Sequence, residues 1–310
     1  MGLFDKIKGP VFLKETSNAA EQILRLQELL SSAPAECKEQ IERDIKLLQA
    51  GIYGEEAIAF ELKNSHMPMM ILHDLYLKQG EFSAQIDYLI VTRKRIFVIE
   101  CKNLFGNIEI NSSGDFIRTV QYGKRSFREG IYSPVTQNKR HLELLHQLRR
   151  EVKGNVITKA IFDQHFYDTY RSVVVLANPK TVLNARYAPK AVKSQVIRAD
   201  GLIEYIRKVN AEPGTDAMSE QQMETLARFY LDLHAENPVD YTEKYQKAPP
   251  AVETVEPPAA QSSVEPAPII CPRCGAPMVI RKAAKGPNAG KTFYGCTRYP
   301  QCRGIVNIQQ

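Results

Sequence analysis

Residues 85–103, QIDYLIVTRKRIFVIECKN, set two β-branched apolar runs about a short basic turn, and they carry Asp87, Glu100 and Lys102 inside those runs. Runs of this composition fold as strands buried on both faces. A hairpin turning at Arg93–Lys94 pairs residues whose numbers sum to 187, so Asp87 faces Glu100 and Gln85 faces Lys102. Side chains alternate with a period of two, which puts all four on one face. Opposed Cβ atoms then lie about 4.5–5.5 Å apart, and two carboxylates that close repel unless protonated or bridged by a cation. Mg²⁺ (or Mn²⁺) takes carboxylate oxygens and keeps several waters, leaving positions for a phosphate. Lys102 can set its amine beside a metal-bound water or a phosphate oxygen, a layout suited to metal-assisted hydrolysis. The plain alternative is a lysine–carboxylate cluster at a strand end.

The chain has 310 residues, 44% of them hydrophobic and 25% charged, enough for one large domain or two smaller ones. The apolar run SVVVLA at 172–177 is strand-length and too short to cross a bilayer. The opening MGLFDKIKGPVFLKE lacks the apolar core of a secretory signal, and Lys6 stands where an N-myristoylation pattern needs Ser or Thr. A cytoplasmic protein is expected.

Leu and Ile recur at three- and four-residue spacing over 17–31 and 35–50, which predicts two amphipathic helices. Gly51 and Gly54 precede a further helix containing Ile58 and Leu62. Strands are expected at 69–77, 83–92, 95–103, 107–111, 116–120, 171–178 and 194–200, with helices at 133–152, from 201, and at 218–235. Pro134 suits the first turn of its helix. Residues 246–268 hold six prolines and no aromatic residue, the composition of an extended linker. The expected organisation is a helical segment at 1–50, an α/β domain at 51–245, the linker, and a small basic module at 269–310.

The blocks GIYGEE, AQIDYLIV, IFVIECKN followed by Gly106, and SPVTQNKRHLELL occur in the order and spacing of the nuclease-related domain (NERD), which the chain resembles over about residues 50–180. That domain resembles a branch of the PD-(D/E)xK nuclease superfamily. The resemblance implies a restriction-endonuclease-like mixed β-sheet flanked by helices. It implies Asp87 and Glu100 as metal ligands, the Cys101 backbone carbonyl as a further ligand, and Lys102 as the catalytic lysine. Glu55 matches the family's additional acid and Gln137 a glutamine that faces the active centre. The chain departs in carrying Arg95 where the family often has Gly in the turn. Among the neighbours, Glu56 reads as a solvated helix residue and Gln85 as a hydrogen-bond partner for Lys102. The Cys101 side chain reads as a small buried hydrophobe, and His66 and His73 take no role. His141 shares the helix face of Gln137 and is open to either DNA contact or packing.

The C-terminal module contains Cys271-x2-Cys274, 21 intervening residues, then Cys296-x5-Cys302. Two such knuckles enclose one tetrahedral Zn²⁺ with no open position. So short a segment has too little core to fold unaided, so bound zinc supplies most of its stability. Residues 269–310 hold seven Lys/Arg and no acid, leaving 34 basic against 35 acidic residues elsewhere. The whole basic excess therefore sits in this module, as suits a polyanion partner. The segment resembles the C-terminal zinc ribbons of type IA DNA topoisomerases, which bind single-stranded DNA. Arg281, Lys282, Lys285, Lys291, Arg298 and Arg303 can track phosphates, while Phe293, Tyr294 and Tyr299 offer stacking faces.

Together these features predict a Mg²⁺-dependent nuclease acting on DNA, with a zinc ribbon that holds the strand. A non-catalytic DNA-binding or accessory protein in DNA repair or topology, working through the ribbon, is the alternative. A 5′-phosphate and a 3′-hydroxyl are the products that the superfamily resemblance implies.

Overall fold

The computed structural model describes residues 7–246, 271–274, 276, 278–282, 292–298 and 300–307. The linker expected at 246–268 falls almost wholly outside them. The chain divides into two compact units, Met1–Ala248 and Pro249–Gln310.

The first unit runs β1 (Pro10–Lys14), α1 (Ala19–Ser32), α2 (Ala35–Lys63), β2 (Met69–Gln79), β3 (Phe82–Val91), β4 (Ile96–Lys102), β5 (Asn107–Ile110), β6 (Phe116–Tyr122) and β7 (Arg125–Ile131). It continues through α3 (Pro134–Glu151), α4 (Val156–Thr169), β8 (Tyr170–Leu176), β9 (Leu183–Asn184), α5 (Lys190–Lys193), β10 (Val196–Arg198), α6 (Leu202–Ala211) and α7 (Glu220–Asp232). Six strands form a mixed sheet in the order β1-β2-β3-β4-β8-β10, antiparallel across β2-β3-β4 and parallel elsewhere. Strands β3, β4 and β8 are apolar on both faces because helices cover both. On one face Leu89, Val91 and Val98 pack with Leu142 and Leu145 of α3 and Tyr230 of α7. On the other, Ile90, Phe97, Ile99 and Val173 pack with Ile58 and Leu62 of α2 and Ile206 of α6. A second sheet, β7-β6-β5-β9, extends from the end of β4. Among the described residues no helix is long and apolar enough to cross a membrane.

The β3–β4 hairpin pairs Tyr88 with Ile99 and Val91 with Ile96, so every pair sums to the expected 187. Its turn needs no glycine. Thr92 N–H donates to the Arg95 carbonyl at 2.9 Å, and the fully buried Arg95 guanidinium donates to the carbonyls of Glu212 and Pro213. Helix α2 passes through Gly51 and Gly54 without a break, so the helices expected on either side of residue 50 are one element. Strands β1 and β7 and helix α4 were not expected. Helix α4 shows no apolar period, with Val156, Ile157, Ile161 and Phe166 spread around it, which hides it from a pattern search.

Helix α3 starts where Ser133 caps the Thr136 N–H and Pro134 fills the first turn. It is pinned to the sheet by Asn138, fully buried, whose Nδ2 donates to the Val98 carbonyl (2.7 Å) and Ser172 Oγ (3.0 Å). Replacing Asn138 with Ala strands these acceptors, and a buried unpaired polar group costs about 1–3 kcal/mol. Denaturant unfolding of Asn138→Ala should show a loss of that size, whereas an unchanged midpoint would contradict the pinning role.

Candidate active site

The β3–β4 ladder ends at Tyr88 and Ile99, one residue short of the two acids. There the Asp87 side chain replaces the missing backbone partner, its Oδ2 accepting from Cys101 N–H at 2.6 Å. Within a strand the N–H and C=O of one residue point the same way, so the Cys101 carbonyl also turns toward the gap between β3 and β4. The gap is a polar cleft of about 230 Å³ lined by Glu55, Gln85, Asp87, Glu100, Lys102 and Gln137, with Gly51, Cys101 and Asn103.

The opposite side of β3 is irregular at the same point. Pairs between β2 and β3 sum to 161 on both sides of Asp74 and Asp87, yet these two are not themselves paired. Asp74 takes φ +52°, a left-handed conformation that Asp tolerates better than most residues. The strands change faces there: Ala84 and Ile86 pack in the same cluster as Leu89 and Val91, which unbroken alternation would put on opposite sides. The one-face rule therefore stops at Asp87. Gln85 reaches the cleft through the irregularity and bonds Asp74 Oδ1 (2.7 Å) and Asn237, not Lys102 as expected. Lys14 Nζ donates to the carbonyls of His73 and Asp74 beside the break.

Lys102 Nζ donates to Glu100 Oε1 (2.6 Å) and to Gln137 Oε1 (3.2 Å), so α3 and β4 together aim it. Glu100 is 2% exposed, and among the described residues its second oxygen, Oε2, has no hydrogen-bond partner. His141 Nδ1 stands 3.6 Å from it, also without a hydrogen-bond partner among the described residues. Burial, aided by Lys102, lowers the His141 pKa to about 4, so the ring faces Glu100 uncharged. His141 is thus a buried neighbour of the acid and does not project to solvent.

Glu55 reaches the cleft from α2, while Glu56 is exposed. The Glu55 carboxylate is aimed by His73, whose Nε2 donates to Oε2 at 2.7 Å and whose Nδ1 donates to the Glu15 carbonyl at 2.9 Å. Burial opposes charge on His73, but the Glu55 and Glu15 oxygens outweigh it and raise its pKa. The ring stacks on Tyr88, and Tyr88 OH donates to the Glu55 carbonyl. His73, given no role by the sequence, is therefore the orienting residue for Glu55. Its only sequence signal is a His-Asp pair inside the otherwise apolar run 69–77. Helix α2 comes close enough because Gly54 has no side chain: a Cβ there would lie 2.7 Å from Asn103 Cβ and 2.9 Å from Cys101 Sγ. The Cys101 thiol faces that helix, and burial followed by Asp87 raises its pKa well above the usual range. It is a packing group, not a nucleophile.

Burial, then the nearby Glu100 and Glu55 carboxylates, push Asp87 well above the ordinary carboxylate range. Burial raises Glu100 as well, against Lys102 and Gln137. Two carboxylates held at this cost, an unpartnered Glu100 oxygen and the Cys101 carbonyl turned toward the gap offer an all-oxygen donor set that fits a hard divalent cation.

In the second unit β11 (Met278–Lys282), β12 (Thr292–Cys296) and β13 (Ile305–Asn307) form an antiparallel sheet. The sulfurs of Cys271, Cys274, Cys296 and Cys302 lie within 4.8 Å of one another, and none is in a disulfide. The spacings of 3.7 Å (Cys271–Cys302) and 3.4 Å (Cys274–Cys296) approach the edge of a Zn–S₄ tetrahedron, about 3.8 Å for bonds of about 2.3 Å. The Arg273 and Cys274 N–H groups bring the Cys271 thiol down to about 7. Gly304 leaves room for a sulfur, since a Cβ there would sit 2.2 Å from Cys271 Sγ. Zinc fits this cluster. Phe293 pairs across strands with Arg281 on one face. Tyr294, expected beside them as a stacking face, alternates to the other side and packs on the cluster of Cys271, Ala276, Met278 and Cys296. Arg298 and Arg303 are exposed, and Lys282 closes β11. Lys285, Lys291 and Tyr299 lie outside the described residues.

Two outcomes follow from these charges and thiols. Asp87 binds its proton more tightly folded than unfolded, so without added divalent metal stability falls as pH rises from about 4, the unfolded value, through the folded pKa. Asp87→Asn keeps an acceptor for Cys101 N–H and removes the charge. Its Tm above that window should exceed the wild type's, by about 2–4 °C per kcal/mol recovered; an equal or lower Tm contradicts the electrostatic reading. In the ribbon, chelation should release zinc together with the amide protection of 278–282 and 292–296, as followed by hydrogen exchange. Protection that survives zinc removal would show a fold independent of the metal.

Residues 50–177 match the nuclease-related domain (NERD), and residues 269–310 match the topoisomerase DNA binding C4 zinc finger. No curated protein and no solved structure matches the chain. The chain thus carries a nuclease-related domain, with its cleft between β3 and β4, followed by a topoisomerase-type C4 zinc ribbon.

Proposed function

We propose that the chain is a metal-dependent nuclease that hydrolyses DNA phosphodiester bonds at the β3–β4 cleft. The observation that supports this most is the convergence of Asp87, Glu100 and Lys102, with one Glu100 oxygen left without a partner in a buried site. Asp87, Glu100 and the Cys101 carbonyl would hold Mg²⁺ or Mn²⁺, which lowers the pKa of a bound water and offsets charge on the phosphoryl group. Glu55, oriented by His73, adds a third acid at the rim. Gln137 keeps Lys102 extended over the acids, where its amine can donate to a phosphate oxygen as charge builds there. The water oxygen forms the new P–O bond and gives up a proton to solvent. The P–O3′ bond breaks, and the 3′ oxygen takes up a proton to become a hydroxyl, leaving a 5′-phosphate.

The ribbon supports the same reading. A topoisomerase-type zinc ribbon tethered to the same chain raises the concentration of DNA available to the cleft, with a preference for single strands through Phe293 and Arg281. A zinc-binding cysteine cluster and a nucleic-acid substrate suit a cytoplasmic protein.

The test is incubation with linear, circular and single-stranded DNA in Mg²⁺ or Mn²⁺, with and without EDTA. Asp87→Ala and Lys102→Ala should each cut cleavage, the former about a thousandfold or more. That figure corresponds to losing several kcal/mol of charge stabilisation at about 1.4 kcal/mol per decade. Zinc content should be unchanged. Full cleavage by Asp87→Ala would end the proposal, and DNA retention without products in either metal would favour the non-catalytic alternative.

A further inference from the structure

Strand β6 and the edge strand β7 form a two-stranded ribbon joined at Gly123–Lys124, with Gly123 in the left-handed region at φ +57°. Their pairs sum to 247, so Phe116, Arg118, Val120 and Tyr122 share a face with Ile131, Glu129, Phe127 and Arg125. Near the body this face is core: Phe116 packs with Ile108, Ile110 and Val174. Toward the tip the same face leaves the body and keeps its apolar character. Tyr122 is 64% exposed and Phe127 56%. Phe105, 56% exposed, joins them, with ring centres 6.3 Å from Phe105 to Tyr122 and 6.0 Å from Tyr122 to Phe127. Three large exposed rings in a row need a covering partner or a function.

Their position is set by the chain's path out of the cleft. Phe105 follows Lys102 by three residues, a reach of at most about 11 Å. Between them and β5 the chain turns at Gly106, whose φ is +101° and whose missing Cβ would lie 2.5 Å from the Thr119 carbonyl oxygen. That close approach locks the start of β5 onto β6 and sets Phe105 beside Tyr122. The strip therefore starts at the edge of the proposed catalytic centre and leads away from it.

Charge selects the partner. Residues 116–131 hold four basic residues (Arg118, Lys124, Arg125, Arg128) and one acid (Glu129). Glu129 is paired with Arg118, and Glu109 of β5 with Arg128. Among the described residues Lys124 and Arg125 enter no ion pair, and Arg125 stands directly across from Tyr122. Flat exposed rings interleaved with uncompensated cations fit a chain of stacked bases joined by phosphates, and they suit single strands because every base has a π-face.

We propose that Phe105, Tyr122 and Phe127, with Lys124 and Arg125, form a stacking track for single-stranded DNA running from the cleft. Its placement rests on the nuclease reading of that cleft, whereas the binding itself does not. Bases would lie on the three rings while the two cations take the phosphates. Duplex DNA, whose bases are already stacked on each other, would gain far less from the rings.

The test uses the full zinc-loaded chain without added Mg²⁺ or Mn²⁺, so that binding is read apart from cleavage. Oligothymidylate carrying 4-thiothymidine should photocrosslink to peptides from 116–131 as well as to 269–310. Tyr122→Ala combined with Phe127→Ala should abolish the former crosslinks and weaken single-strand affinity by about tenfold or more. Tyr122→Phe should keep both, because stacking needs the ring and not the hydroxyl. The Ala variants alter exposed positions, and an unchanged Tm would verify that the fold survives. Crosslinks confined to 269–310 with unaltered affinity would overturn the track. So would a double variant that dissociates a wild-type oligomer or protein complex while DNA affinity stays the same, since the strip would then be a protein interface. A protein that cuts nothing in any metal yet crosslinks through 116–131 would sink the nuclease reading and keep the track.

Discussion

A backbone N–H left behind where two strands part organises the first unit. Beyond Tyr88 and Ile99 strands β3 and β4 no longer pair, and Cys101 N–H would be an orphan inside the protein if Asp87 did not accept from it. A side chain that completes a ladder is held as firmly as the ladder itself, so Asp87 has little freedom to swing away from Glu100. The result is an electrostatic conflict built into the fold: two acids share a poorly solvated cleft, with a single lysine tied to one of them. A site of this kind costs stability unless something positive completes it. That cost is the physical reason to read the cleft as a cation site and not as an ion-pair cluster that happens to lie at a strand end.

The surroundings keep the conflict in place. On the α2 side Gly54 lets the helix press against the end of β4, and His73 and Tyr88 hold Glu55 at the rim by its carboxylate and its carbonyl. On the α3 side Asn138 ties the helix to β4 and β8, which sets Gln137 against Lys102 one residue away and His141 against Glu100 one turn on. Lys14 and Gln85 bond the atoms of the β2 irregularity opposite Asp87. The role of these groups is positional. They restrict where the acids and the amine can go, which is what preorganisation requires.

What the sequence made legible is what depends on short-range periodicity. The β-branched runs flanking Arg93–Lys94 set the hairpin, and their register brought Asp87 level with Glu100 without knowledge of any other element. The cysteine spacing likewise placed four sulfurs together. Alternation failed where the backbone itself departs from a strand, at Asp74, because a left-handed residue in mid-strand leaves no mark in composition. His73, Asn138 and Lys14 stayed invisible for a different reason: the partners that give them these roles are 18 or more residues away in sequence, and the roles exist only after folding. Arg95 shows the reverse case. Its departure from the expected turn glycine left the register intact, because carbonyls of Glu212 and Pro213 receive its guanidinium.

The central claim is that Asp87 and Glu100 exist as a pair to hold one divalent ion. The most direct measurement is diffraction from crystals of the zinc-loaded protein soaked in Mn²⁺, with anomalous data at wavelengths that separate manganese from zinc. A manganese peak should stand between the two carboxylates, in contact with both and distinct from the zinc held by the four cysteines. An empty cleft at saturating Mn²⁺, with the two acids protonated or turned apart, would contradict it.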